Sequence, residues 1–269
     1  GSDIGGSIRI PASACGVVGY KPPYGRNTDD PPFNLDFFCH TGPLARTVRD
    51  AALLQNVITG PHPSDITTLR PKLTVPLEAK PIKGWKIAFS MDLSVFQVDP
   101  DVQKNTLAAL DVFRSLGATV EEVDLGWQPD VLKQGMTYLE HLFGGYLSGL
   151  LKEHGDEMTT YARQFAEMGQ KSRAIDIVGS LEAINEMNAS LHINGVEVNP
   201  SLGWVMTTPF NMLSRCPVLS VPTGHAGSGV PTGMQIVGRT YSDADVFRAA
   251  MAYETAQGAW YQTSRSRPT

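Results

Sequence analysis

The sequence predicts an α/β fold, a mixed and mostly parallel central sheet covered by helices on both faces. Three observations carry that expectation. Trp85–Ser90 reads as a strand, 101–116 as a helix and Thr119–Leu125 as a strand, joined by short connections, which is the crossover unit of a parallel sheet. Residues 129–191 read as almost wholly helical, in pieces near 129–154, 156–170 and 173–191 separated at Gly155 and around Gly169. The last third returns to strands at Pro217–Pro222 and Gly233–Gly238 before a helix over Ser242–Thr255.

Local signals justify each element in turn. Between Thr47 and Thr59, Thr47 is a cap, Asp50 lies in the first turn, and Val48, Ala51, Ala52 and Val57 keep helical spacing up to the Gly60-Pro61 stop. Pro61, Pro63, Pro71, Pro76 and Pro81 then predict a surface excursion. Asp99 as N-cap and Pro100 at the first helical position start the next helix, whose stripe is Val102, Thr106, Ala109, Leu110, Phe113 and Leu116, with Gly117 as its stop. Ser242 is the expected cap of the final helix.

Composition excludes several classes of function. The 269 residues hold 22 Lys+Arg against 27 Asp+Glu, a net charge of −5, with 42% hydrophobic and 18% charged residues. A mean hydropathy of −0.13 is too apolar for a disordered chain, and no long apolar run suits a membrane span. With no Lys/Arg cluster, nucleic acid is not an expected partner. Cys15, Cys39 and Cys216 are odd in number and form no C-x-x-C pair, which points to a reducing, cytoplasmic setting. His40, His62, His141, His154, His192 and His225 are scattered, with no pair at metal-ligand spacing, and read as surface or packing residues. The start at Gly1-Ser2-Asp3, without methionine or an apolar leader, reads as the middle of a longer protein.

The chemistry-bearing stretch is Gly1-Ser2-Asp3-Ile4-Gly5-Gly6-Ser7-Ile8-Arg9-Ile10-Pro11-Ala12. Six glycines fall within the first 26 residues, more than twice the average density of the chain, so this backbone must turn tightly or approach something closely. A serine behind two glycines can sit where backbone N–H groups converge, the arrangement acyl transfer needs to stabilise an oxyanion. Asp3 and Arg9 flank the loop and can pair to hold its shape. A glycine-rich turn with a capping serine is the plainer reading of these residues alone.

The run GSDIGGSIRIPASACGVVGYKP (Gly1–Pro22) resembles the core signature of the amidase signature family, which hydrolyses carboxamide bonds with a Ser–cis-Ser–Lys triad. GPLARTVRDAALLQNVITGPHPSD (Gly42–Asp65) and the stretch from Pro209 to Arg239 are similar to later segments of that family, in the same order. The resemblance implies that Ser7 is the acyl-forming nucleophile. It also implies that the backbone N–H groups of Ile4, Gly5, Gly6 and Ser7 form the oxyanion hole, that Asp3 and Arg9 support the loop, and that no metal or organic cofactor takes part. The implied partner is a small-molecule amide; no membrane is involved, and a homodimer is the default assembly. Lys21 matches the family's structural G-x-K-P lysine and not its base.

Two departures accompany the match. The family's cis-serine and lysine lie upstream of the nucleophile, and this chain begins six residues before Ser7. Residues 1–269 therefore read as part of a single amidase signature domain whose N-terminal part is absent, and the chain alone is expected to be inactive. Near Leu191–Asn194 the family's D-x-L-x-x-P-T strand is missing as well. The helical region 129–191 is expected to shape the substrate pocket, with Trp204, Tyr138 and Phe143 as candidate contacts beside their plainer role as core aromatics. Cys15 and Cys216 read as packing residues. The alternatives are a glutamyl-tRNA amidotransferase-like protein that works within a complex, disfavoured for want of a Tyr- and Arg-rich stretch, and a catalytically silent paralogue with a structural or binding role.

Overall fold

The computed structural model describes residues 1–128, 130–189 and 206–258. In chain order the elements begin with β1 (Ser2–Asp3), α1 (Arg9–Cys15), β2 (Val18–Lys21), β3 (His40–Thr41), β4 (Leu44–Ala45) and α2 (Val48–Ile58). Next come β5 (Lys86–Phe89), α3 (Pro100–Ser115) and β6 (Thr119–Glu122). Helices α4 (Asp130–Leu139), α5 (Gly145–His154), α6 (Thr160–Lys171), α7 (Ala174–Ala189) and α8 (Pro209–Met212) follow, and β7 (Val218–His225), β8 (Pro231–Val237) and α9 (Asp243–Gln257) complete the described chain. These form two compact units, one of Gly1–Met91, Gln97–Val123 and Ser214–Thr269, the other of Asp92–Phe96 and Asp124–Leu213.

The first unit is built on a four-stranded sheet of order β4-β2-β7-β8, in which every pair is antiparallel. Parallel pairing is confined to β5 and β6, where Lys86 lies opposite Thr119 and α3 makes the crossover; the other described strand pairs are antiparallel, so the sheet is mixed but not the mostly parallel one the sequence predicts, because strand direction is set by long-range pairing and not by local pattern. Strand β7 is buried through Thr223, as a strand paired on both edges should be. Its Pro222 has no N–H to give the ladder, and the register shifts between Pro222 and Gly224. Tyr20 of β2 packs its ring 4.6 Å from Phe247 of α9, and Phe113 of α3 stacks 5.4 Å from Tyr253. Val48, Ala51 and Ala52 turn the apolar face of α2 into the same core.

The caps explain why the helices start where the sequence places them. The Thr47 hydroxyl accepts from the Asp50 N–H at 3.0 Å, and the Asp99 carboxylate from the Asp101 N–H at 2.8 Å. The final helix differs: Ser242 occupies its N-cap, but the side chain makes no capping bond. Asp243 in its first turn is held instead by Tyr20 and Arg26, which tie the start of α9 to the sheet. Cys15, expected to pack, is exposed at the end of α1.

In the second unit, α4 runs through a π-helical turn at Glu140–Gly144 into α5, and α6 crosses that rod where Gly144 and Gly169 bring the two backbones together. A Cβ on Gly169 would stand 2.1 Å from the Gly144 carbonyl carbon, so only glycine permits this crossing. Phe165 fills the junction beside Phe143 and Tyr161, at 5.4 and 5.0 Å. Tyr138 is buried at 2% exposure. Trp204 and the Leu191–Asn194 break lie outside the described residues.

Candidate active site

The loop from Asp3 to Arg9 is organised around one carboxylate. Asp3 ends β1, which pairs with β3 in the register Asp3↔His40. Its Oδ1 accepts from the Gly6 N–H at 2.7 Å and its Oδ2 from the Ile8 N–H at 3.3 Å. Those two amides flank Ser7, so Asp3 grips the backbone on both sides of the serine. Arg9 closes the arrangement, with Nε 2.9 Å from Oδ2 and Nη2 2.9 Å from Oδ1, the parallel fork that fixes both partners in orientation. Neither side chain of the pair is exposed.

Ser7 itself is exposed, and its hydroxyl makes no hydrogen bond to any described residue. Among the four amides assigned to an oxyanion hole, the Gly6 N–H is taken by Asp3, whereas the Ile4 and Ser7 N–H groups bond to no described residue. Gly6 has φ +132°, a conformation that a side chain would oppose, and it turns the chain between Asp3 and Ser7.

Packing carries this loop on the sheet. Helix α1 starts at Arg9, and the Ile10 N–H bonds to the Gly6 carbonyl at 2.7 Å, so the loop runs directly into the helix. A Cβ on Gly19 of β2 would stand 2.6 Å from the Ala12 Cβ, a close approach of helix and strand. Arg9 then reaches across to β8, where Nη1 donates to the Gln235 Oε1 at 2.9 Å. Gln235 is 226 residues away in sequence. No local pattern in the chain marks it, beyond its place in the GMQIVGR strand.

His40 and Lys21 lie behind the loop, both buried. Nδ1 of His40 lies 2.7 Å from the Phe38 carbonyl and Nε2 lies 3.1 Å from the Ser214 carbonyl. Burial, aided by the Lys21 charge, pushes the His40 imidazolium down to about 3. Lys21 donates to the Pro22 and Cys216 carbonyls at 3.2 and 3.0 Å. Burial first, and the Arg9 charge second, bring it down to about 7. Those carbonyl bonds occupy Lys21 in joining β2 to the approach of β7, and it makes no bond to Ser7.

Among the described residues no three of His, Cys, Asp and Glu are grouped so as to hold a metal ion. No described helix is long and apolar enough to cross a membrane.

The family model for amidases matches residues 1–191. The chain belongs to the amidase family. Amidases and related proteins similar to it include a glutamyl-tRNA(Gln) amidotransferase component from Oceanobacillus iheyensis, 30% identical over 95% of this chain and 62% of that protein. The acylamidase of Rhodococcus erythropolis is 28% identical over 96% of this chain and 61% of its own length. A solved bacterial aryl acylamidase of the amidase signature family superposes with a TM-score of 0.82 at 29% identity, covering 100% of this chain and 64% of that one. The chain thus spans 62% and 61% of the length of these two curated relatives. The mixed α/β architecture expected from the sequence is that of these amidase signature structures.

Proposed function

We propose that Ser7 is the nucleophile of an amidase that hydrolyses a small-molecule carboxamide through an acyl-enzyme. The observation that supports it best is the Asp3 carboxylate bonded to the amides on either side of an exposed Ser7, at 2.7 and 3.3 Å. That grip preorganises the loop before substrate arrives, so the donors need no rearrangement as charge develops. Ser7 Oγ attacks the carbonyl carbon, and the oxyanion is received by the Ile4–Ser7 loop, with the Ile4 and Ser7 N–H groups as its open donors. The C–N bond breaks as the amine takes a proton, leaving an ester on Ser7. Water then adds to the ester and releases the acid.

A serine hydroxyl needs a base to lose its proton at neutral pH. The base and relay in this proposal are the lysine and cis-serine that the family resemblance implies, and no described residue supplies them to Ser7. These 269 residues by themselves are accordingly proposed to be inactive. We assign the choice of amide to the helical stretch 129–191, and the three free thiols support a cytoplasmic setting.

A second reading is favoured by the relatives named as components of glutamyl-tRNA(Gln) amidotransferase: a protein that releases ammonia for a partner. Amide turnover by the complete protein discriminates the two. The amidase reading expects hydrolysis of simple carboxamides without a partner and its loss in Ser7→Ala; hydrolysis that appears only with partner proteins and tRNA supports the second reading. Full turnover retained by Ser7→Ala contradicts both.

A further inference from the structure

Gln235 is placed by the four-stranded sheet. In its register Gln235 of β8 lies opposite Ser220 of β7, which lies opposite Gly19 of β2 on its other side. Residues opposite one another in adjacent strands share a face of the sheet. This face carries α1: a Cβ on Gly19 would stand 2.6 Å from the Ala12 Cβ, and one on Gly233, two residues before Gln235, 2.8 Å from the Ser13 Oγ. The helix therefore rests on β2 and β8, and Arg9, its first residue, comes within reach of Gln235.

From Gln235 a chain of hydrogen bonds runs to the backbone around Ser7. Its Oε1 accepts from Arg9 Nη1 at 2.9 Å, and the other edge of the same guanidinium donates to Asp3 Oδ2 and Oδ1 at 2.9 Å each. Those oxygens accept in turn from the Ile8 N–H at 3.3 Å and the Gly6 N–H at 2.7 Å. The fork by itself fixes Arg9 relative to Asp3, but it leaves the two free to move together. Asp3 belongs to a two-residue strand in a two-stranded sheet, and Arg9 stands in the first turn of a seven-residue helix. The bond from Nη1 ties the pair to a strand of the larger sheet, and a planar guanidinium held at both edges keeps one orientation.

We propose that Gln235 is a positioning residue for Ser7. By accepting from Arg9 it sets the plane of the guanidinium, through it the Asp3 carboxylate, and through that the amides on both sides of the serine. The inference rests on the reading of Ser7 as the nucleophile. Gln235 acts on the serine only through Arg9 and Asp3, so its loss should misplace the attacking oxygen and the oxyanion donors together. Such a displacement slows the chemical step and leaves the initial binding of a reagent largely as it is.

The test is phosphonylation of the complete protein by a serine-directed fluorophosphonate, followed as the saturating rate constant kinact and the half-saturating concentration KI, with the adduct located by peptide mass spectrometry. Gln235→Leu should lower kinact about tenfold to a hundredfold and leave KI within about twofold. Gln235→Glu keeps an oxygen acceptor of the same reach and should recover most of the rate; Gln235→Asn, one methylene shorter, should not. A side chain that only stabilises the fold would lower Tm and leave kinact of the folded protein unchanged, so wild-type kinact in folded Gln235→Leu overturns the proposal. A Gln235→Glu variant as slow as Gln235→Leu overturns it too. Should Gln235→Leu fail to fold, Gln235→Asn against Gln235→Glu decides it: a slower Asn variant supports the role, and equal rates refute it. An adduct that forms elsewhere than Ser7 in the unsubstituted protein refutes the nucleophile itself, a result distinct from an adduct at Ser7 whose rate ignores position 235.

Discussion

Arg9 and Asp3 are joined by two parallel hydrogen bonds of 2.9 Å each with neither side chain exposed, and the same carboxylate holds the amides that flank Ser7. The ion pair and the loop that carries Ser7 are therefore one structure. Removing one partner leaves a buried charge unpaired, which typically costs about 3–5 kcal/mol. Arg9→Met is expected to destabilise the chain on that scale in urea denaturation. Arg9→Lys, which keeps the charge but loses the fork and the bond to Gln235, should also be destabilising, by less. Wild-type stability in Arg9→Met would show that the pair does not hold the loop.

Acid sensitivity follows from His40. Its folded pKa is depressed to about 3, below the ordinary value of 6.5, chiefly by burial. Between those values the unfolded chain carries the proton and the folded chain does not. Stability from this group is therefore complete above pH 6.5 and is lost as pH falls toward 3, at up to about 1.4 kcal/mol per pH unit. Lys21→Met removes a charge that lowers His40, so the His40 pKa should rise and the acid loss become smaller. Imidazole proton shifts followed by NMR, together with denaturation at about pH 4 and pH 7, measure both effects. An ordinary titration of His40 near 6.5 in the folded chain would refute the account.

The fold is legible in the sequence wherever its causes are local. Thr47 and Asp99 cap the helices that their positions predict, because an N-cap acts within three residues of itself. The Asp3–Arg9 pair is legible for the same reason, six residues apart in one short loop. Gln235 is not, since its contact with Arg9 exists only once β8 lies beside α1. His40 reads in the sequence as an ordinary surface or packing residue, and its burial against Asp3 depends on the pairing of β1 with β3. The antiparallel order β4-β2-β7-β8 likewise joins strands nearly 200 residues apart, a separation at which side-chain periodicity carries no information on pairing.

The helical unit rests on a crossing of two glycines. A Cβ at Gly169 would fall 2.1 Å from the Gly144 carbonyl carbon, and backbone on a packed helix cannot yield as a side chain does. Gly169→Ala should destabilise by about 1–3 kcal/mol or more. Gly149 of α5 meets nothing within 4 Å, and Gly149→Ala should stabilise by up to about 1 kcal/mol through helix propensity alone. Thermal denaturation of the two variants should move in opposite directions. Parallel shifts would contradict this description of the crossing.

The most direct measurement is the site of acylation. The complete protein treated with a serine-directed fluorophosphonate should gain one adduct, located by peptide mass spectrometry at Ser7, and Ser7→Ala should gain none while losing amide hydrolysis. Labelling of another serine at the same rate in Ser7→Ala, with hydrolysis retained, would contradict the assignment of Ser7 as nucleophile.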